Sequence, residues 1–165
     1  MRGLLVLIAM LALAQAPAGV AMAQTAPILG ATDLGAGWVS TGATARTLTQ
    51  GNVYRDIFQA PADYPPGTGV ALQVVEATDD EIRDALVGQI LDNYGIQGYD
   101  FQAESVVGEQ GVVGTMKTTS ATSTMYLYSM KDTVVMVVVG TGQPNATGID
   151  DLALSLAKMQ AQRLS

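Results

Sequence analysis

The sequence predicts an α+β domain: an antiparallel β-sheet of about six to seven strands with two main helices packed on one face. Three observations lead there. Four strand-like runs follow one another between Tyr99 and Gly140 with links too short for parallel crossovers. Two stretches, one after Thr78 and one after Pro144, carry apolar residues at helical spacing behind a group of acids. The resulting order is strands, helix, four strands, helix, without the regular strand–helix alternation of a parallel sheet.

The chain starts with Arg2, an unbroken apolar run from Leu4 to Ala14 and an Ala21-Met22-Ala23 exit. A basic start, a short apolar centre and small residues at the exit predict a secretory signal peptide over 1–23, with one α+β domain over 24–165. Gln15, Pro17 and Gly19 interrupt the apolar stretch. Cleavage is therefore expected in place of a permanent span, which needs ~20 predominantly apolar residues. The expected location is secreted or periplasmic. No Cys follows the apolar run to carry a lipid.

Gln24 to Ala31 is rich in small residues and is expected to lie over the surface. Trp38 to Thr44 and Asn52 to Gln59 read as strands, the latter through Val53, Ile57 and Phe58. Pro61, Pro65, Pro66, Gly67 and Gly69 make the next stretch a loop. Val70 to Ala77 is a strand leading into the first long helix, with Thr78 and Glu81 spaced as a capping box. Ile82, Leu86 and Ile90 with Val87, Leu91 and Tyr94 form its apolar face, and Gly95 is placed to end it. Gly88 in its middle reads either as a close contact with the sheet or as simple tolerance.

The four serial strands are Tyr99 to Val106, Gln110 to Thr118, Ser123 to Met130 and Thr133 to Gly140, with Lys131-Asp132 as the last hairpin's turn. The second helix, capped by Asn145 or Thr147, buries Ile149, Leu152, Ala153, Leu156, Met159 and Leu164. Asp150 and Asp151 open it, with Lys158 and Arg163 towards its end, as the helix dipole favours.

Composition narrows the chemistry. Lys and Arg number 8 against 15 Asp and Glu, a formal net charge of −7, which loss of Arg2 with a leader would deepen. That balance argues against nucleic acid and anionic membrane partners. The chain has no Cys and no His. Stability must come from the core, and the usual nucleophile–base pairs, zinc sites and haem ligation are removed together. Carboxylate chemistry, oxygen-ligated cations or no chemistry remain, so a binding or sensing module is favoured. No cofactor or metal is expected.

Thr133 to Val139 is apolar on both faces of its strand, where a half-solvated antiparallel strand would alternate. Its second face calls for a cover: the N-terminal segment, a homodimer contact, or a ligand in an apolar groove. Tyr126 and Tyr128 share one strand face, with Met125 and Leu127 on the other, expected to face the helices. With Trp38, these two tyrosines are the candidate ligand-binding residues, offering stacking area and hydroxyls; cross-strand packing is their other explanation. Asp79, Asp80, Glu81 and Asp84 lack the spacing of a calcium loop and suit a helix N-terminus. Glu76, Asp100 and Glu104 read as solvent-side strand residues. Gly67-Thr68-Gly69 and Gly140-Thr141-Gly142 match no phosphate-binding loop and read as turns. Asn145-Ala146-Thr147 fits the N-glycosylation pattern but is assigned to capping.

Two segments carry a resemblance. Ala31 to Trp38 (Ala-Thr-Asp-Leu-Gly-Ala-Gly-Trp) resembles the opening of a group of small exported bacterial proteins. The block from Tyr126 to Leu164 is similar to their ending: a hairpin, a Val-rich strand, a polar loop and a helix closing on Gln-x-x-Arg-Leu. The group resembles the extracellular sensor domain of mycobacterial receptor Ser/Thr kinases and, more loosely, the PsbP-like fold. The resemblance implies an antiparallel sheet with two main helices and a ligand cleft on the sheet; it transfers no functional residue. The expected function is therefore an exported, non-enzymatic, sensor-like domain of the cell envelope. Its partner would be an apolar small molecule or an envelope protein. The competing expectations are a carboxylate-based envelope hydrolase and a structural or chaperone-like interaction protein.

Overall fold

The computed structural model describes residues 27–165; the leader read over 1–23 lies outside the described residues. The elements are α1 (Ala31–Leu34), β1 (Val39–Ser40), β2 (Thr44–Leu48), β3 (Gly51–Gln59), β4 (Gly69–Ala77), α2 (Asp80–Ile96), β5 (Asp100–Glu104), β6 (Gln110–Lys117), β7 (Thr122–Met130), β8 (Thr133–Thr141) and α3 (Ile149–Leu164). The α+β class holds, and the sheet has eight strands, close to the number expected. Their spatial order is β1-β3-β4-β8-β7-β6-β5, with β2 lying beside β1 on the same edge of β3. Every pairing is antiparallel. The extra strand arises because the segment after Trp38 is not continuous. It breaks after Ser40, and Thr44–Leu48 then folds back on β3 from Leu48 opposite Gly51 to Thr44 opposite Arg55.

The expectation that both long helices pack on one face is corrected. On β8, Val135, Val137 and Val139 join Tyr126, Tyr128, Leu72 and Val74 in a cluster with Ile149, Ala153, Leu156 and Ala157 of α3. The alternate residues Val134, Met136 and Val138 join Met125, Leu127 and Val75 in a second cluster with Leu86, Val87, Ile90, Leu91 and Tyr94 of α2. Alternate strand residues point to opposite faces, so the helices sandwich the sheet. This accounts for the unbroken Val-rich run of β8: all nine of its residues are buried because each face has its own helix.

The α3 face has a second cover. The fully buried Gln160 accepts from Leu29 N at 2.9 Å and donates from Nε2 to Pro27 O at 2.6 Å. Asp33 of α1 pairs with Arg163 at 3.1 Å. These contacts strap residues 27–34 to α3, and Leu29 joins the core beneath. The N-terminal segment therefore does shield the sheet, on the face it shares with α3.

Local signals differ from the expected ones by a residue or two. The α2 N-cap is Asp79, one past Thr78, accepting from Ile82 N at 2.9 Å. The helix runs through Gly95 to Ile96, and the left-handed glycine is Gly98 at φ 96°. The α3 N-cap is Gly148, with no side-chain bond, so neither Asn145 nor Thr147 caps it. The Lys131–Asp132 turn stands as expected, with Lys131 at φ 53°.

Candidate functional site

Trp38, Tyr126 and Tyr128, expected on a ligand face, are all buried in the cluster under α3. Trp38 packs edge-on against Tyr64 with ring centroids 5.2 Å apart. Tyr128 donates its hydroxyl to Ala157 O of α3 at 2.9 Å, and burial drives its pKa far up. Tyr126 is raised by burial first, then by Glu104, Asp150 and Asp151. Their surfaces are taken up inside the molecule, in the cluster beneath α3. The signal for it was in β8: a strand apolar on both faces needs a helix on each, and α3 takes the tyrosine face.

A concave surface lies on the other side, along α2. A groove of ≈ 660 Å³ is lined by Gln50 from the β2–β3 turn and by Ile82, Ala85, Leu86, Gly88, Gln89, Asp92 and Asn93 of α2. Sequence reasoning missed it because its two walls come from separate elements. Gly51 sets the hairpin wall. At φ +138° an added Cβ would lie 1.8 Å from Glu76 O, so only glycine lets the turn close against β4. Gln50 O then accepts from Thr78 N at 3.2 Å, holding the turn beside the start of α2.

The helix wall is pinned at both ends. Near its start, Arg83 bonds Asp80 at 2.8 Å, Asp84 at 2.9 Å and Lys131 O at 2.7 Å, tying α2 to the β7–β8 turn. At its end, buried Tyr94 meets Tyr99 edge-on at 5.4 Å, and Tyr99 stacks on Phe101 at 6.0 Å. Burial, reinforced by Tyr99, pushes Tyr94 up to about 12. Arg55 lies near Tyr94, its pKa lowered by burial. Between these anchors one flank of α2 faces the groove. Gly88 sits there exposed, with open space above it, which decides for tolerance over a close contact with the sheet.

The groove's apolar surface comes from Ile82, Ala85 and Leu86, and its polar surface from the carboxamides of Gln50, Gln89 and Asn93 and the carboxylate of Asp92. That set offers apolar contact and hydrogen bonding, and no nucleophile–base pair. Glu76, read as solvent-side, instead accepts from Asn52 at 3.2 Å and from Tyr54 at 3.3 Å on the α3 face. At the start of α2, Asp79 serves as the cap, and Asp80 and Asp84 are partners of Arg83. Among the described residues no group of three or more His, Cys, Asp or Glu is placed to hold a metal ion.

The fold is an α+β sandwich: one antiparallel sheet between two long helices, with an open groove on the α2 side. The extracellular domain of PknH from Mycobacterium tuberculosis shares this fold. It aligns with a TM-score of 0.56 over 85% of this chain and 93% of its own, at 13% sequence identity. No family model matches the chain, and no curated protein matches it. Among the described residues no helix is long and apolar enough to cross a membrane.

Proposed function

We propose that the protein is an exported, non-enzymatic binding module of the cell envelope that takes a ligand or partner in the groove between α2 and the β2–β3 turn. The observation that carries the reading is the groove itself: apolar side chains lie beside a few hydrogen-bonding ones, the kind of lining that ligand sites use. The fold it shares with an extracellular domain of a mycobacterial protein supports an exported setting. The secretory leader expected over residues 1–23 agrees with that.

The test uses Gly88. A large side chain there projects into open space, so Gly88→Leu fills the groove without meeting other atoms at its Cβ. The chain, purified gently from its own host, is compared with this variant by native mass spectrometry. The expected result is a co-purifying molecule on the wild type, lost from a variant that remains folded and at least as heat-stable. Equal retention by both proteins would move the site away from α2, and bare protein in both would remove the small-ligand reading.

A further inference from the structure

We propose that copies of this chain associate by strand addition, the β5 edge of one copy pairing antiparallel with the β2 edge of the next. Both strands close the sheet on opposite sides, and among the described residues neither has a strand on its outer side. Each is five residues long; β2 is exposed throughout, and β5 is exposed at three positions. The exposed large apolar side chains gather at these same edges. Val39 and Leu48 lie on the β1–β2 edge, while Ile96 and Val106 flank β5. Open edges with apolar borders are templates for further pairing.

Charge selects which edges meet. The β2 edge carries Arg46 and no acid, whereas β5 carries Asp100 and Glu104 and no cation. Pairing β2 with β2, or β5 with β5, sets like charges against each other, so symmetric dimers are disfavoured. Pairing β5 with β2 sets opposite charges together, provided they share a face. Arg46 sits opposite Val53, on the α2 face, and Asp100 opposite Thr115 and so in line with Thr124 and Val139, on the α3 face.

Because every neighbour in the sheet is antiparallel, β2 and β5 run in the same direction within one copy. Joining them antiparallel between copies requires each copy to be turned over relative to the last. That inversion brings the Asp100, Gln102 and Glu104 side chains onto the same face as Thr44, Arg46 and Leu48. With the two strands fully overlapped, Arg46 stands opposite Gln102 and diagonal to both acids. The contact is heterologous and leaves one edge open at each end, so growth continues past two copies. A five-residue strand pair falls below the ~1,000 Å² of a stable interface, so assembly is weak and depends on concentration.

Sedimentation of the chain with its leader removed, at low salt over a hundred-fold concentration range, tests this. The expected result is a rise of about two-fold or more in weight-average mass, reversed by molar salt. Arg46→Glu alone and Asp100→Arg/Gln102→Lys alone are each expected to stay monomeric with unchanged circular dichroism. Both edges are complementary again when these two variants are mixed, so the mixture is expected to assemble. Wild type that remains monomeric, a species that stops at two copies, or assembly that persists in Arg46→Glu would each overturn the proposal.

Discussion

One substitution made at two glycines gives opposite signs, and the structure supplies both magnitudes. Gly88 lies exposed in the middle of α2, and a Cβ added there meets nothing within 4 Å. Gly88→Ala therefore changes only helix propensity and is expected to stabilise by ~0.8–1 kcal/mol, or roughly 2–4 °C in Tm for a chain of this size. Gly114 is buried in β6, opposite Phe101 of β5. A Cβ there would lie 2.4 Å from Cε1 and 2.7 Å from Cδ1 of Phe101, whose ring lies across the glycine. The ring belongs to the stack with Tyr99 and, through it, Tyr94, so it cannot step aside without disturbing the end of α2. Overpacking of this kind costs ~1–3 kcal/mol. The two variants are thus expected to differ by ~2–4 kcal/mol in urea unfolding followed by circular dichroism. Adding Phe101→Leu should recover part of the Gly114→Ala loss, giving a coupling of opposite sign to the single effect. A Gly114→Ala protein as stable as wild type would refute the placement of Phe101, and a destabilised Gly88→Ala would refute the open flank of α2.

Three further outcomes follow from the α3 side and the buried tyrosines. Gln160→Ala leaves the buried Leu29 N–H without its acceptor and Pro27 O without its donor. It is expected to cost ~2–3 kcal/mol and to speed limited proteolysis around residues 27–34 selectively. Tyr128→Phe removes one hydrogen bond to Ala157 while keeping the ring, for a loss of ~0.5–1.5 kcal/mol by thermal unfolding. In alkali, Tyr94 is raised from 10.0 to about 12 in the folded chain, so its neutral form favours folding up to pH 10. Above that the unfolded chain ionises first, and stability falls across the window to about pH 12, by roughly 2–3 kcal/mol for this group. Tyr99 and Tyr128 add in the same direction. Denaturation midpoints that stay level from pH 9 to 12 would contradict this.

Strand order along the chain, both long helices and the Lys131–Asp132 turn were legible because each rests on local periodicity or turn chemistry. The side of the sheet taken by each helix was not. Ile82, Leu86 and Ile90 show that α2 buries one stripe, and nothing in that stripe says against which face. The decisive clue was the two-sided apolar run Thr133 to Val139, which calls for a cover on each face. The face that carries Tyr126 and Tyr128, expected to lie away from the helices, is covered by α3. The groove was invisible for a related reason: Gln50 and the flank of α2 are distant in sequence and meet only once Gly51 has turned the hairpin against β4. Caps slipped by one residue or more because Thr78 and Asp79, like Thr147 and Gly148, are all acceptable cap residues and packing chooses between them.

The junction of β4 with β8 has a kinetic consequence. The β2–β3–β4 meander and the β5–β6–β7–β8 meander each pair near neighbours in sequence, whereas β4 meets β8 with Gly69 opposite Gly140 and Glu76 opposite Thr133. Bringing those strands together closes a long loop containing α2 and three strands, and that entropy is lost before the central contacts form. Folding is therefore expected to be slow for a chain of this size, with the transition state centred on the β4–β8 seam. Truncating Val74 or Val135, which face each other across it, should slow refolding, whereas truncating Val112 in the outer meander should mainly speed unfolding.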